Sequence, residues 1–158
     1  MAFDPGKPLD DVDWQILEIL QDDGRISFSE LGRKVAMSAP AVTERVRRLE
    51  EAGVITGYRA EVDLERLGLP IVAIVRSRPG FANKANFEKA MHEAPGVIEC
   101  VRVTGEDCYV TKVCAGSMPE LEAIVDVLAA LGETTTSLVL SQPVSGRVVR
   151  RERERESA

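Results

Sequence analysis

The sequence predicts an α+β chain in two parts: three short helices with a β-ribbon, then a β-α-β-β-α-β sandwich. Three observations predict this. Apolar residues recur at helical spacing as far as Gly53, each helical run opening on a capping residue. The stretch "DLERLGLP" at 63–70 then interrupts the pattern with a Gly and a Pro. Beyond it come four strand-like runs separated by two helical ones. The chain of 158 residues is long enough for two small domains, and its 44% hydrophobic content makes packed cores feasible.

The first helix is expected in "LDDVDWQILEILQDDG", where Val12, Ile16, Ile19 and Leu20 share one face. Asp10 is placed to cap it, Asp11 and Asp13 favour its positive end, and Gly24 ends it. The second is expected in "SFSELGRKVA", with Ser27 and Glu30 at capping-box spacing. After a tight turn, Ser38 caps a third helix, with Pro40 in its first turn and Gly53 at its end. Val42, Val46 and Leu49 form its inner stripe. "VITGYRAEVD" then reads as a β-ribbon around a Gly turn.

In the second part, strands are expected at 71–77, 97–103, 108–115 and 134–144 and helices at 83–96 and 117–132. Phe87, Ala90 and Met91 point inward from the first of these helices, and Ser117 with Glu120 caps the second. This is the ferredoxin-like order. Two helices cover one face of a four-stranded sheet. "IVAIV" is apolar on both faces, so the other face calls for a second copy of the chain.

Composition excludes several classes. No run reaches the ~18 apolar residues of a membrane helix, and "MAFDPGKPLDD" lacks the basic-then-apolar order of a secretory signal, so a cytoplasmic protein is expected. Cys100, Cys108 and Cys114 are odd in number without a C-x-x-C pair, and His92 is the only histidine; neither a metal nor a cofactor is expected. No nucleophile–base pair or Gly-rich phosphate loop suggests catalysis. The net charge of -6 hides a gradient: residues 1–24 carry one Lys and seven Asp or Glu, whereas residues 25–59 carry seven Lys or Arg and four Glu.

That local excess of positive charge gathers on the third helix. Two helices joined by a short turn, the second bearing outward arginines, form a helix-turn-helix pattern suited to the major groove of double-stranded DNA. The outward and flanking residues are Ser38, Pro40, Thr43, Glu44, Arg45, Arg47 and Arg48. Arg47 and Arg48 are the candidates for base or phosphate contact. Arg45 lies near the apolar edge, where it either meets a phosphate or braces the helix. Ser38, at a helix N-terminus, suits a phosphate. Glu50 and Glu51 are placed to pair with Arg47.

"LDDVD", "DDGRIS", "ELGRKV", "ERVRRLEEAGVI" and the following "GY" together resemble, in order, the N-terminal domain of the leucine-responsive and asparagine-synthetase regulator (Lrp/AsnC) family. "TGEDCY", the "TTTS" strand and the topology extend the resemblance over residues 9–149. It implies a transcriptional regulator with a winged helix-turn-helix domain (1–58), a linker (59–69), a ligand-binding and oligomerisation domain (70–149) and a charged tail (150–158) read as disordered or a frayed helix. It also implies an amino acid or related metabolite as effector, held by Thr104, Gly105, Glu106, Asp107, Tyr109, Thr134, Thr135 and Thr136, and homodimers that assemble further, commonly as four dimers. Two positions depart from the family pattern. Ala36 stands where the turn often has Gly, and Cys108 stands where the loop Gly-x-x-Asp-Tyr has Asp. The alternative readings are an amino-acid-binding module or enzyme of the same αβ fold without DNA binding, or a structural oligomer.

Overall fold

A computed structural model describes residues 8–151, which divide into two compact units. One unit gathers the chain up to Ala60 with the segment from Val144 onward; the other is Glu61–Pro143.

The first unit holds three helices: α1 (Asp11–Asp22), α2 (Phe28–Lys34) and α3 (Ala39–Glu51). Asp10 caps α1 as expected, and Asp13 completes a reciprocal capping box with it. Ser27 accepts from the Glu30 N–H at 3.2 Å. Ile16, Leu31, Val35, Val42, Val46 and Leu49 form the core, so the inner stripe of α3 is as the spacing predicts.

The α2–α3 turn is tight. The Met37 N–H donates to the Gly32 carbonyl at 2.8 Å, and Ala36 takes φ 55°. An L-residue pays about 1 kcal/mol or more in that left-handed region, so Ala at this position is strained.

The expected β-ribbon does not form: no strand occurs between α3 and residue 71. Gly53, at φ 69°, ends α3, and the N–H groups of Val54 and Ile55 donate to the Leu49 carbonyl. Ile55 thereby packs onto the helical core. The β-prone residues that follow find no strand to pair with among the described residues, and a ribbon needs two.

From the other end of the chain, Val149 lies against α1. Gln21 Nε2 donates to its carbonyl at 3.0 Å, and its N–H donates to Gln21 Oε1 at 2.9 Å. Arg150 pairs with Glu18 and Arg151 with Asp11. The rest of the charged tail, 152–158, lies outside the described residues.

The second unit is an antiparallel sheet in the order β2-β3-β1-β4, with β1 Ile71–Pro79, β2 Val97–Arg102, β3 Tyr109–Ala115 and β4 Gly132–Leu138. Helices α4 (Lys84–Glu93) and α5 (Met118–Ala129) complete the β-α-β-β-α-β order. β4 starts earlier and ends sooner than its β-branched run suggests. Gly132 lets it begin: a Cβ there would lie 2.5 Å from Pro79 Cα. Ala73, Val75, Tyr109, Val113 and Ala115 of the sheet bury against Phe87, Met91, Leu121, Ile124 and Leu128 of the helices.

On the opposite face, Val72 lies beside Cys114 and Ile74 beside Lys112 and, beyond it, Glu99, while Val110 and Val101, the latter 45% exposed, lie beside Arg76. Toward the far end of β1 come Arg76 and Arg78, with Arg78 paired to Glu133 at 2.9 Å. No helix of the described residues is long and apolar enough to cross a membrane.

Candidate DNA-binding helix and effector loop

Helix α3 turns Val42, Val46 and Leu49 inward, which leaves Thr43, Arg47 and Arg48 exposed on the other side. Pro40 and Ser38 are exposed at its start. Ser38 occupies the N-cap position, yet its side chain makes no capping hydrogen bond. Its hydroxyl therefore remains available to an anion arriving at the helix N-terminus. The Thr43 hydroxyl donates to the Ala39 carbonyl at 2.8 Å.

The three arginines differ. Arg45 reaches across to α1, where Nη1 donates to Asp10 Oδ2 and Asp13 Oδ1, each at 2.7 Å. Desolvation would raise the Asp10 carboxyl, but the Asp13 N–H and Arg45 outweigh it and hold it below the usual range. Of the two roles expected for Arg45, the geometry gives it the brace. Arg47 and Arg48 instead share the Glu44 carboxylate, and Arg47 also meets Glu51. Glu50 does not pair with Arg47: it accepts from the Tyr58 hydroxyl at 3.0 Å. Desolvation and that carboxylate push the Tyr58 hydroxyl up to about 12.

The loop Thr104–Asp107 joins β2 to β3 around Gly105, at φ 110°. Cys108 still belongs to the loop, since β3 begins at Tyr109. Strand alternation therefore does not govern the step from Asp107 to Cys108. Asp107 turns toward Arg76 at 4.0 Å, whereas Cys108 packs against the helix-side core.

The ladder separates the remaining effector candidates. Ser77 pairs with Tyr109 on one side and Thr134 on the other; Arg76 pairs with Thr135. Tyr109 is buried beneath the helices, its ring 4.8 Å from Phe87 and its hydroxyl donating to Glu88 at 2.5 Å. Desolvation and Glu88 push that hydroxyl up to about 12. Tyr109 is thus a core residue and does not line the loop with Glu106 and Asp107. Thr134 and Thr136 share its side of the sheet, while Thr135 lies on the opposite one.

Arg76, Asp107 and Thr135 consequently share the open side of the sheet beside Thr104, Gly105 and Glu106. Arg76 was missed by reasoning from motifs. Its signal was a switch from apolar to charged residues at alternate positions of the strand "IVAIVRSRP", where Arg76 and Arg78 follow Val72 and Ile74 on one side. Among the described residues no group of His, Cys, Asp and Glu could hold a metal ion, and all three cysteines are free.

Residues 9–50 match the AsnC-type helix-turn-helix domain, and residues 72–149 match the Lrp/AsnC ligand binding domain. The chain belongs to the Lrp/AsnC family. It is 38% identical over 134 residues to the HTH-type transcriptional regulator LrpC of Bacillus subtilis, covering 85% of this chain and 93% of that one. The solved structure of B. subtilis LrpC superposes with a TM-score of 0.83 at 37% identity, covering 88% of this chain and 99% of LrpC. A Neisseria meningitidis transcriptional regulator solved as a complex with L-Met gives a TM-score of 0.83 at 28% identity, covering 90% and 96%. An Lrp/AsnC chain is a transcriptional regulator with a DNA-binding helix-turn-helix and a ligand-binding domain, and both parts are present here.

Proposed function

We propose that this regulator reads duplex DNA with α3 and responds to an amino acid bound at the open end of its sheet. It acts as a homodimer or a larger assembly of dimers in the cytoplasm, without catalysis. The observation that carries the DNA part is the outward face of α3, where Ser38, Pro40, Thr43, Glu44, Arg47 and Arg48 stand together while Arg45 braces the helix from behind. The L-Met complex of the Neisseria relative supports an amino-acid effector.

Arg76 is suited to the effector's carboxylate, and Asp107 with Glu106 to its ammonium group. These acids compensate for Cys108, which packs against the core. Calorimetry across the amino acids should find one that binds. Arg76→Gln should weaken it by about tenfold or more, as expected for a lost charge-assisted hydrogen bond. Undiminished binding when Glu106 and Asp107 are both neutralised would remove them from the site.

Assembly rests on the apolar residues of the open sheet face, Val72, Ile74, Val110 and Val101, among which Lys112 and Arg76 are interspersed. Sedimentation at micromolar concentration should show no species smaller than a dimer, and Ile74→Asp should release monomers. A stable wild-type monomer would refute the interface.

A further inference from the structure

Glu44 stands three residues before Arg47 and four before Arg48, so all three meet on one strip of α3. One carboxylate oxygen accepts from Arg47 Nη2 at 2.7 Å and from Arg48 Nε at 3.2 Å; the other accepts from Arg47 Nε at 2.9 Å. Glu51 takes the remaining Arg47 Nη1. All three nitrogens of Arg47 are therefore engaged before any DNA arrives, Arg48 is held through Nε alone, and with Glu44 and Glu51 the two arginines form a strip of zero formal charge.

Such exposed pairs contribute little to stability, so the consequence of the arrangement lies in binding. A phosphate can take Arg47 as a bidentate pair only by displacing a carboxylate, which is then left beside the negative backbone; at Arg48 it must approach with the Glu44 carboxylate alongside. The displaced carboxylate finds a partner only where a base edge offers an amino group, as cytosine N4 does in the major groove. We propose that Glu44 is a positioning and specificity-determining residue, which withholds Arg47 from non-specific phosphates, weakens the pull of Arg48 on them, and yields both where a cytosine or adenine amino group donates to its carboxylate. This rests on α3 being the DNA-reading helix. The Arg47 and Arg48 hydrogen bonds hold the Glu44 carboxyl down at about 2, so the clamp is ionised throughout the physiological range and does not act as a pH switch.

The test is selection of duplexes from a random pool by the full chain and by Glu44→Gln. Affinities for the selected duplex and for a scrambled duplex of equal length are then measured against salt. Glu44→Gln keeps the side-chain length, and a thermal melt checks that it folds. It should bind the scrambled duplex about tenfold more tightly, with log K falling more steeply by ~0.9 to 1.8 per decade of salt, the equivalent of one or two further phosphate contacts. The ratio of selected to scrambled affinity should fall about tenfold, within the range of one specific base contact. Preference at one base pair of the selected sequence should also disappear. Glu51→Gln removes the same charge from Arg47 alone, so it should steepen the salt dependence but keep the base preference. An unchanged ratio and consensus in Glu44→Gln, or the same loss of preference in Glu51→Gln, would overturn the proposal. Failure of the α3 reading shows separately, as undiminished affinity in the Arg47→Ala, Arg48→Ala double variant.

Discussion

Replacing Arg47 and Arg48 together by alanine should abolish detectable duplex binding at physiological salt, a loss of about a hundredfold or more if each makes one charge-assisted contact. The chain as a whole is acidic, at -6, so affinity for DNA must come from a local surface. Helix α3 supplies it. Arg45 is tied to Asp10 and Asp13, which leaves Arg47 and Arg48 as the exposed arginines of the helix. Where both contact phosphates, the double variant should also flatten the dependence of log K on log salt by ~1.8. Arg45→Ala should behave differently: it removes the ion pair between α1 and α3 but not their apolar packing, with a stability loss of about 1 kcal/mol or less, since the group is more than a quarter exposed. Melting curves beside gel-shift titrations separate the two roles. Unaltered duplex affinity in the double variant would sink the assignment of α3.

Gly32→Ala should destabilise the helical unit by about 2 kcal/mol, even after the ~1 kcal/mol by which Ala favours a helix over Gly. Gly32 is buried within α2, and a Cβ there would lie 2.7 Å from the Met37 carbonyl oxygen and 3.4 Å from the Ser38 carbonyl carbon. Both are backbone atoms of the turn and of the start of α3. The Met37 N–H is also bonded to the Gly32 carbonyl, so the turn can retreat only by losing that bond. Relief would move α3 itself, and DNA affinity should fall with stability. Ala36→Gly should act in the opposite direction. It removes the strain at φ 55° while adding freedom to the unfolded chain, for a net gain of about 0.5–1 kcal/mol. Urea unfolding followed by circular dichroism measures both. A neutral Gly32→Ala or a destabilising Ala36→Gly would refute this account of the turn.

Much of this was legible in the sequence because it depends on neighbours along the chain. Asp10, Ser27 and Ser117 begin helices because a side-chain oxygen reaches an N–H three residues on, a local geometry. The stripe Val42, Val46, Leu49 follows from the helical period, and the β-α-β-β-α-β order from the alternation of periods. The same local logic overreached at "VITGYRAEVD": strand propensity was real there, but a strand is made by its partner, and among the described residues there is none.

What the tertiary structure alone decided is which charges meet across elements. The sequence determined that α3 carries three outward or flanking arginines. That Arg45 is drawn to Asp10 and Asp13 depends on how α1 packs against α3, whereas Arg47 and Arg48 meet Glu44 through helical spacing within α3 itself. In the sheet, register places Arg76 beside Thr135 on the open side while Tyr109 and Thr134 flank Ser77 on the other. A shift of one residue would exchange the two sets. The residue types and their spacing fix the elements; long-range packing and strand register set which side chains are free to bind.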